Sequence, residues 1–284
     1  HSIRRRQRQM CIRDSTKPYD LTMIDRRSFI NRSASVSAAF VIAPYANTKE
    51  FQSGASTVAG YDYHLPKFEK GSRLLFQGDS ITDMKWGRNQ KDRNHYLGHS
   101  YVYLIAARLG VDLPQAHLEF FNRGMSGNKI SDLRMRWQKD AIDMEPDWLS
   151  ILVGINDVGR VTKDKGLREW EGDYRFVLDA SRKANPKLEI VLLDPFILAS
   201  GGLTKRTAYV AKREVVDKLC GVVRRLAEDY GAVHIQTQKV FDEAAEKMSP
   251  EQWVWDGVHP LPQGHELIAR NWLQAVGESI NKGT

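Results

Sequence analysis

Directly behind the apolar run Arg73-Leu74-Leu75-Phe76-Gln77 stand Gly78-Asp79-Ser80-Ile81. A short strand ending in this small, sharply turning tripeptide would put the Ser80 hydroxyl at the carboxyl edge of a sheet, with the N–H groups behind it opening a helix. At such a place a hydroxyl can attack a carbonyl carbon while the turn holds the oxyanion that forms. Gly, Asp and Ser are also ordinary turn residues, so the tripeptide gains weight only from segments further along the chain. There are three of these: Phe121-Asn122-Arg123-Gly124-Met125-Ser126-Gly127-Asn128, Gly154-Ile155-Asn156-Asp157 and Trp255-Asp256-Gly257-Val258-His259-Pro260. Gly124 lacks a Cβ, which lets its N–H come close to an oxyanion. Asn156 carries an amide that donates hydrogen bonds without titrating. Asp256 and His259, three apart on one turn, can share a carboxylate–imidazole hydrogen bond and leave the other ring nitrogen for a hydroxyl. Pro260 would stiffen the loop that carries His259. Plainer readings stand beside these: a turn glycine at Gly124, a helix N-cap at Asn156, a loop hydrogen bond between Asp256 and His259. Asp79 is expected to cap the helix after Ser80 rather than to act chemically, and Asp157 to serve as a turn or cap residue.

Residues so far apart in the chain need a scaffold that gathers them. Strand-like runs lie at Arg73–Gln77, Leu118–Asn122, Trp148–Val153, Leu188–Asp194 and Ala232–Gln236. Between them Tyr101–Leu109, Ile130–Met144, Leu167–Ala184 and Thr207–Tyr230 place apolar residues at helical spacing, and a last helix spans about His265–Ile280. Gly110, Gly231 and Asn185-Pro186 are read as helix stops. Near-continuous apolar strands alternating with helices predict an α/β fold: a three-layer α/β/α sandwich on a five-stranded parallel sheet. If that sheet has the flavodoxin-like order 2-1-3-4-5, Ser80, Gly124 and Asn156 each follow one of three neighbouring strands and converge at the switch point, where such sheets bind ligands.

The four segments, in this order, resemble the sequence blocks of the SGNH (GDSL-type) hydrolase family, and the resemblance covers about Arg73 to Ile280. It implies a serine esterase that works through an acyl-enzyme without a cofactor or metal. Ser80 would be the nucleophile, His259 its base and Asp256 the residue that orients His259. The Ser80 N–H, the Gly124 N–H and the Asn156 amide would form the oxyanion hole. Resemblance further suggests the bacterial GDSL-type esterases, whose substrates are often acetylated sugars, so the expected partner is a small-molecule or saccharide ester. The polar segments Lys85–Ser100 and Ser200–Thr207, expected to flank the serine, offer no continuous apolar wall for a long acyl chain. Two alternatives remain within the fold: a lipase or lysophospholipase-type acylhydrolase, and a catalytically idle carbohydrate-binding domain.

The net charge of +7 over 284 residues would invite a nucleic-acid reading, but its distribution argues against one. Residues 1–32 hold nine basic and three acidic residues, and the remainder holds 33 basic against 32 acidic, so the body is near neutral and has no basic face to offer phosphates. The segment from Met23 resembles a twin-arginine export signal, with Arg26-Arg27 ahead of Phe29-Ile30 and an uncharged stretch from Ser33 to Thr48. This divides the chain into a leader (1–48), a connector (49–71) and a hydrolase domain (72–284), and predicts a periplasmic or secreted protein. Cleavage is expected near Ala46, although Pro44 and Tyr45 make a poor small-x-small site. If Met23 is the initiator, 1–22 is upstream sequence. If the leader does not function, the protein is cytoplasmic. The uncharged stretch is too short to span a bilayer, so no stable membrane insertion is expected.

Competing sites are weaker. Gly124-Met125-Ser126-Gly127 lacks the register of a G-x-S-x-G elbow. His95 and His99 have metal-ligand spacing, but Gly98 and polar neighbours point to a loop. His265-Glu266 has no second histidine at the zincin spacing. A metal-dependent phosphoesterase would need Asp79, Asn156, Asp157 and His259 as ligands. Cys11 lies in the leader and Cys220 on a helical pattern, leaving no structural disulfide. Trp86, Trp137, Trp253 and Trp255 either line the mouth of a site or pack in the interior.

Overall fold

A computed structural model of the chain describes residues 63–281. The leader and the first part of the connector therefore lie outside the described residues. Five strands form one parallel sheet: β1 (Arg73–Gly78), β2 (Glu119–Asn122), β3 (Trp148–Leu152), β4 (Glu189–Leu193) and β5 (Val233–Ile235), in the order β2-β1-β3-β4-β5. This is the expected flavodoxin-like order. The register pairs Phe76 with Asn122 and Gly78 with Leu152, so the three strands that precede the candidate residues end side by side.

Among the described residues seven α-helices accompany the sheet: α1 (Ser80–Asp83), α2 (Tyr101–Asp112), α3 (Ile130–Asp140), α4 (Asp164–Ala184), α5 (Arg206–Tyr230), α6 (Thr237–Lys247) and α7 (Pro262–Asn281). Side chains alternate across each strand, and the two faces build separate cores. Leu75, Phe121, Leu149, Ile151, Ile190 and Leu192 pack with α3, α4 and α5. Leu74, Phe76, Phe120, Leu152, Val191 and Leu193 pack with α2, α6 and α7. Both layers bury strand residues almost completely, which explains why the strands read as unbroken apolar runs. No helix among the described residues is long and apolar enough to cross a membrane.

The elements differ from expectation in four places. The helix expected over Ile130–Met144 ends at Asp140, and Ala141 (φ −135°, ψ −60°) separates it from a 3₁₀ turn at Ile142–Met144. Gly110 does not stop α2, which runs on to Asp112 because burial of Leu109 and the Asp112–Tyr63 hydrogen bond (2.7 Å) hold the last turn. The last helix opens at Pro262, a residue preorganised for a first helical turn. Helix α6 has no counterpart among the expected elements: only Gln236 separates it from β5, and it buries Phe241 and Ala244. Cys220 lies half-buried on α5, its thiol pushed far above the usual range, chiefly by burial.

Candidate active site

Strand β1 delivers the serine. At Gly78 a side chain would sit 3.1 Å from Thr82 Cβ and closer still to Leu152 O, so a glycine is required where β1 turns into α1. Asp79 caps that helix, accepting a hydrogen bond from the Ile81 N–H at 3.0 Å. Ser80 is the first residue of α1, where the backbone ladder gives its N–H no partner. Its Oγ lies 2.8 Å from His259 Nε2, and His259 Nδ1 lies 2.6 Å from Asp256 Oδ2. The structure therefore joins Ser80, His259 and Asp256 in one hydrogen-bonded row.

The loop that holds His259 is built to stay still. An antiparallel bridge between Val254 and Pro260 closes it, and Trp255 N–H donates to His259 O at 3.2 Å. Asp256 Oδ1 accepts from the N–H groups of Val258 (2.9 Å) and His259 (2.7 Å). Partial burial alone would lift the Asp256 pKa, but these donors and the imidazole hold it below the usual carboxylate range. Asp256 is thus an anion that fixes Nδ1 as the donor and leaves Nε2 to accept from Ser80. The segment after β4, expected to flank the serine, braces this hairpin from behind. Leu198 N–H donates to Gly257 O (3.0 Å), Ser200 Oγ donates to Val254 O, and Gly201 (φ +48°) passes so close that a Cβ would lie 2.6 Å from Asp256 Cα. Ser200 and Leu203 are buried, so the start of this segment is a support rather than a polar rim.

Gly124 and Asn156 arrive from the ends of β2 and β3. A side chain at Gly124 would sit 2.8 Å from Thr82 C, with Asp83 N nearer still, so the glycine lets the two turns touch. Its N–H donates to Asn122 Oδ1 at 2.9 Å, and can serve an oxyanion only as a shared donor. Asn122 is fully buried, and its Nδ2 donates to Thr82 O (2.7 Å) and Leu97 O (2.8 Å). Asn156 sits on a 3₁₀ turn (Ile155–Asp157) that follows Gly154 at φ +138°. One hydrogen of its Nδ2 goes to Asn128 O at 3.0 Å, which leaves the second for a substrate oxygen. Asp157 ends that turn, one of the roles expected of it, and is buried, its Oδ2 accepting from Ile130 N–H at 3.3 Å at the start of α3. Burial raises its pKa to about 6.

Other expectations also find their places. His95 Nδ1 pairs with Asp92 Oδ2 at 2.9 Å, and no group of three or more metal-ligating side chains occurs among the described residues. His265 is buried, which together with His99 and His259 lowers its pKa to about 3, so it stays neutral beside the site. Trp137 is in the core, and Trp253 donates to Ala244 O at 3.1 Å. Trp86 is buried. Of these four tryptophans only Trp255 is open to solvent (60%), its ring lying against that of His259 at 6.4 Å. Asp83 and Arg88 hold the turn of Gly124 and Ser126 although nothing in their spacing announces it, and Trp86 donates to Gly124 O from the interior.

Asp79 gives a pH-dependent prediction. Burial raises its carboxyl from 3.8 to about 7, against the Ile81 N–H bond, which lowers it. The unfolded chain ionises Asp79 near its ordinary value while the native state keeps the proton, so its contribution to stability declines as pH rises from about 4 to about 7. Asn caps as well as Asp and does not titrate. Asp79→Asn should therefore raise the melting temperature more at pH 8 than at pH 4. Equal shifts in thermal melts at both pH values would show that the buried carboxyl carries no such penalty.

Comparison with known proteins agrees with this geometry. Residues 76–267 match the GDSL-like Lipase/Acylhydrolase family. An acetylxylan esterase of Geobacillus stearothermophilus is 33% identical over 220 residues, covering 74% of this chain and 96% of that protein. A GDSL-like lipase-type structure from Parabacteroides merdae superposes with a TM-score of 0.69 at 33% identity, covering 75% of this chain and 99% of the other. The crystal structure of the acetylxylan esterase Axe2 from Geobacillus stearothermophilus gives 0.62 at 31% identity, covering 74% and 96%. A five-stranded sheet in the expected order, a serine–histidine–aspartate row at its switch point and these matches lead to one conclusion: the chain belongs to the GDSL-like lipase/acylhydrolase family and is a carboxylic ester hydrolase.

Proposed function

We propose that this enzyme removes short acyl groups, chiefly acetyl, from carbohydrate esters, with Ser80, His259 and Asp256 as the catalytic residues. The observation that carries this reading is the row Ser80 Oγ–His259 Nε2–His259 Nδ1–Asp256 Oδ2 at 2.8 and 2.6 Å. Ser80 Oγ attacks the ester carbonyl carbon as its proton passes to His259 Nε2. The oxyanion rests on the Ser80 N–H, the Asn156 amide and the shared Gly124 N–H. His259 then gives the proton to the sugar oxygen, the C–O bond to the sugar breaks, and the acetyl group remains on Ser80. Water, deprotonated by the same histidine, attacks the acyl carbon; the bond to Ser80 Oγ breaks, His259 returns the proton to that oxygen, and acetate leaves. Catalytic mutants of Axe2 replace a serine, an aspartate and a histidine, the last two three positions apart, the spacing of Asp256 and His259 here.

Support for the substrate class comes from two sides. The acetylxylan esterase relative covers nearly all of its own length with this chain. The exposed face of Trp255 beside His259 suits the apolar face of a pyranose, which an aromatic ring covers well. The turns that follow β1, β2 and β3 carry polar side chains: Asp83 binds Arg88 and Ser126, and Asn156 binds Asn128 O. A long acyl chain gains about 0.8 kcal/mol per buried CH₂ only where an apolar wall receives it. We therefore expect kcat/KM on aryl esters to fall from acetyl through butyryl to octanoyl and palmitoyl, with acetylated xylo-oligosaccharides turned over faster than triglycerides. A maximum at eight carbons or more would place the enzyme with the lipases instead.

Export through the segment from Met23 belongs to the same proposal, since polymeric sugar esters lie outside the cell. Arg26→Lys with Arg27→Lys should then leave the protein in the cytoplasm, and unchanged export would refute the leader.

A further inference from the structure

Glycine has the widest backbone freedom of any residue, yet Gly124 has none to spare. Its carbonyl oxygen accepts two hydrogen bonds, from Trp86 Nε1 at 2.9 Å and from Arg88 Nη1 at 3.0 Å. Its N–H is held by Asn122. Arg88 is itself anchored: Nη2 lies 2.6 Å from Asp83 Oδ2, and the guanidinium lies 4.8 Å over the Trp86 ring. The same Asp83 oxygen accepts from Ser126 N–H (2.9 Å) and Ser126 Oγ (2.7 Å). Burial would raise the Asp83 pKa, but Arg88 and Ser126 hold it below the ordinary range, so it stays an anion. Asp83 ends the short helix that Ser80 begins.

The segment that supplies Trp86 and Arg88 adopts a conformation it would not choose alone. Met84 (φ 32°), Lys85 (φ 62°) and Arg88 (φ 56°) all lie in the left-handed region without being glycine. Such residues persist only where surrounding contacts impose them, and they cluster at functional sites. Met84 is the C-cap of α1, its N–H on Ser80 O, and the loop that it and Lys85 begin carries the two side chains that hold Gly124 O.

We infer that Trp86 and Arg88 are positioning residues that clamp the Gly124 peptide against the helix of Ser80 and so set the oxyanion hole. The inference rests on the reading that Ser80 and the Gly124 loop carry the ester chemistry. An error of about 1 Å in such a donor can cost on the order of 100-fold in rate. The guanidinium matters as a fork, one nitrogen on Asp83 and another on Gly124, which an ammonium cannot reproduce.

Two donors on one oxygen also predict how the losses combine. Removing one leaves the carbonyl held by the other, whereas removing both frees it. With aryl acetate as substrate, Arg88→Met and Trp86→Phe should each lower kcat about 3- to 10-fold, and the double variant about 100-fold or more, beyond the product of the singles. KM should stay within about twofold in each, since the loss falls on charge that develops in the transition state. Arg88→Met carries the test alone if Trp86→Phe does not fold. A kcat within about twofold of wild type for Arg88→Met would overturn the clamp, as would a rise in KM that accounts for its whole effect. Ser80→Ala, measured alongside, separates the two levels. If it is inactive while Arg88→Met is unaffected, the clamp fails and the active-site reading stands; if Ser80→Ala remains active, the reading itself fails.

Discussion

Replacing Ser80 by alanine should lower kcat by about 10³- to 10⁶-fold while the protein keeps its fold. The change removes one oxygen from the first residue of α1. It leaves untouched the Asp79 cap, the Gly78 turn and the apolar residues that seat β1. His259→Ala should cost a similar amount, because without Nε2 nothing takes the hydroxyl proton at 2.8 Å. Members of one proton-transfer unit do not add. The double variant should therefore be about as slow as either single, whereas two independent contributions would multiply. Circular dichroism and melting temperature establish that the fold survives, and single-turnover rates give the chemistry. A Ser80→Ala enzyme retaining a tenth of wild-type kcat would end the assignment.

The second large effect is expected at Asn156. Its turn is held by Gly154, whose backbone approaches so near to Pro195 and Trp170 that a Cβ would lie 3.1 Å from Pro195 Cγ and 3.3 Å from Trp170 Cζ2. The bond from Nδ2 to Asn128 O fixes the amide's rotation. The Gly124 N–H is already shared with Asn122, so in the proposed oxyanion hole Asn156 and the Ser80 N–H are the unshared donors. Asn156→Ala should lower kcat by roughly 10²- to 10³-fold with little change in KM. Asn156→Asp keeps the shape but brings a carboxylate towards a developing negative charge, so it should be at least as slow. An effect confined to KM would make Asn156 a substrate-binding residue instead.

Legibility in the sequence follows the range over which each feature is determined. The Ser80 turn, the Asp256–His259 pair and the alternation of strands with helices are written in neighbouring residues, and each stands where the residues placed it. Even local signals mislead when packing outweighs them. Gly110 looks like a stop, but solvent surrounds it, so a glycine there costs α2 only its propensity. Helix α6 carries Val240, Phe241 and Ala244 at helical spacing, yet it follows β5 with no turn signal between them. The contacts of Trp86 and Arg88 with Gly124 span 38 and 36 residues. No spacing rule links such positions; only the fold makes them neighbours, and the three left-handed residues of that loop are stabilised by contacts a linear reading cannot see.

The serine and its histidine are 179 residues apart, and this separation has a consequence for how activity is born. Everything up to the fifth strand can be synthesised, and much of the sheet assembled, while Ser80 remains an ordinary alcohol with no base. The hairpin of His259 and α7, whose Ile268, Trp272 and Val276 pack in the second core, come after that point in the chain, and with them the proposed proton acceptor. Contacts of such sequence separation form late because closing a long loop costs entropy before it returns anything. On the proposed assignment, a chain cut anywhere before Asp256 lacks both the base and the residue that orients it, and is expected to show no esterase activity.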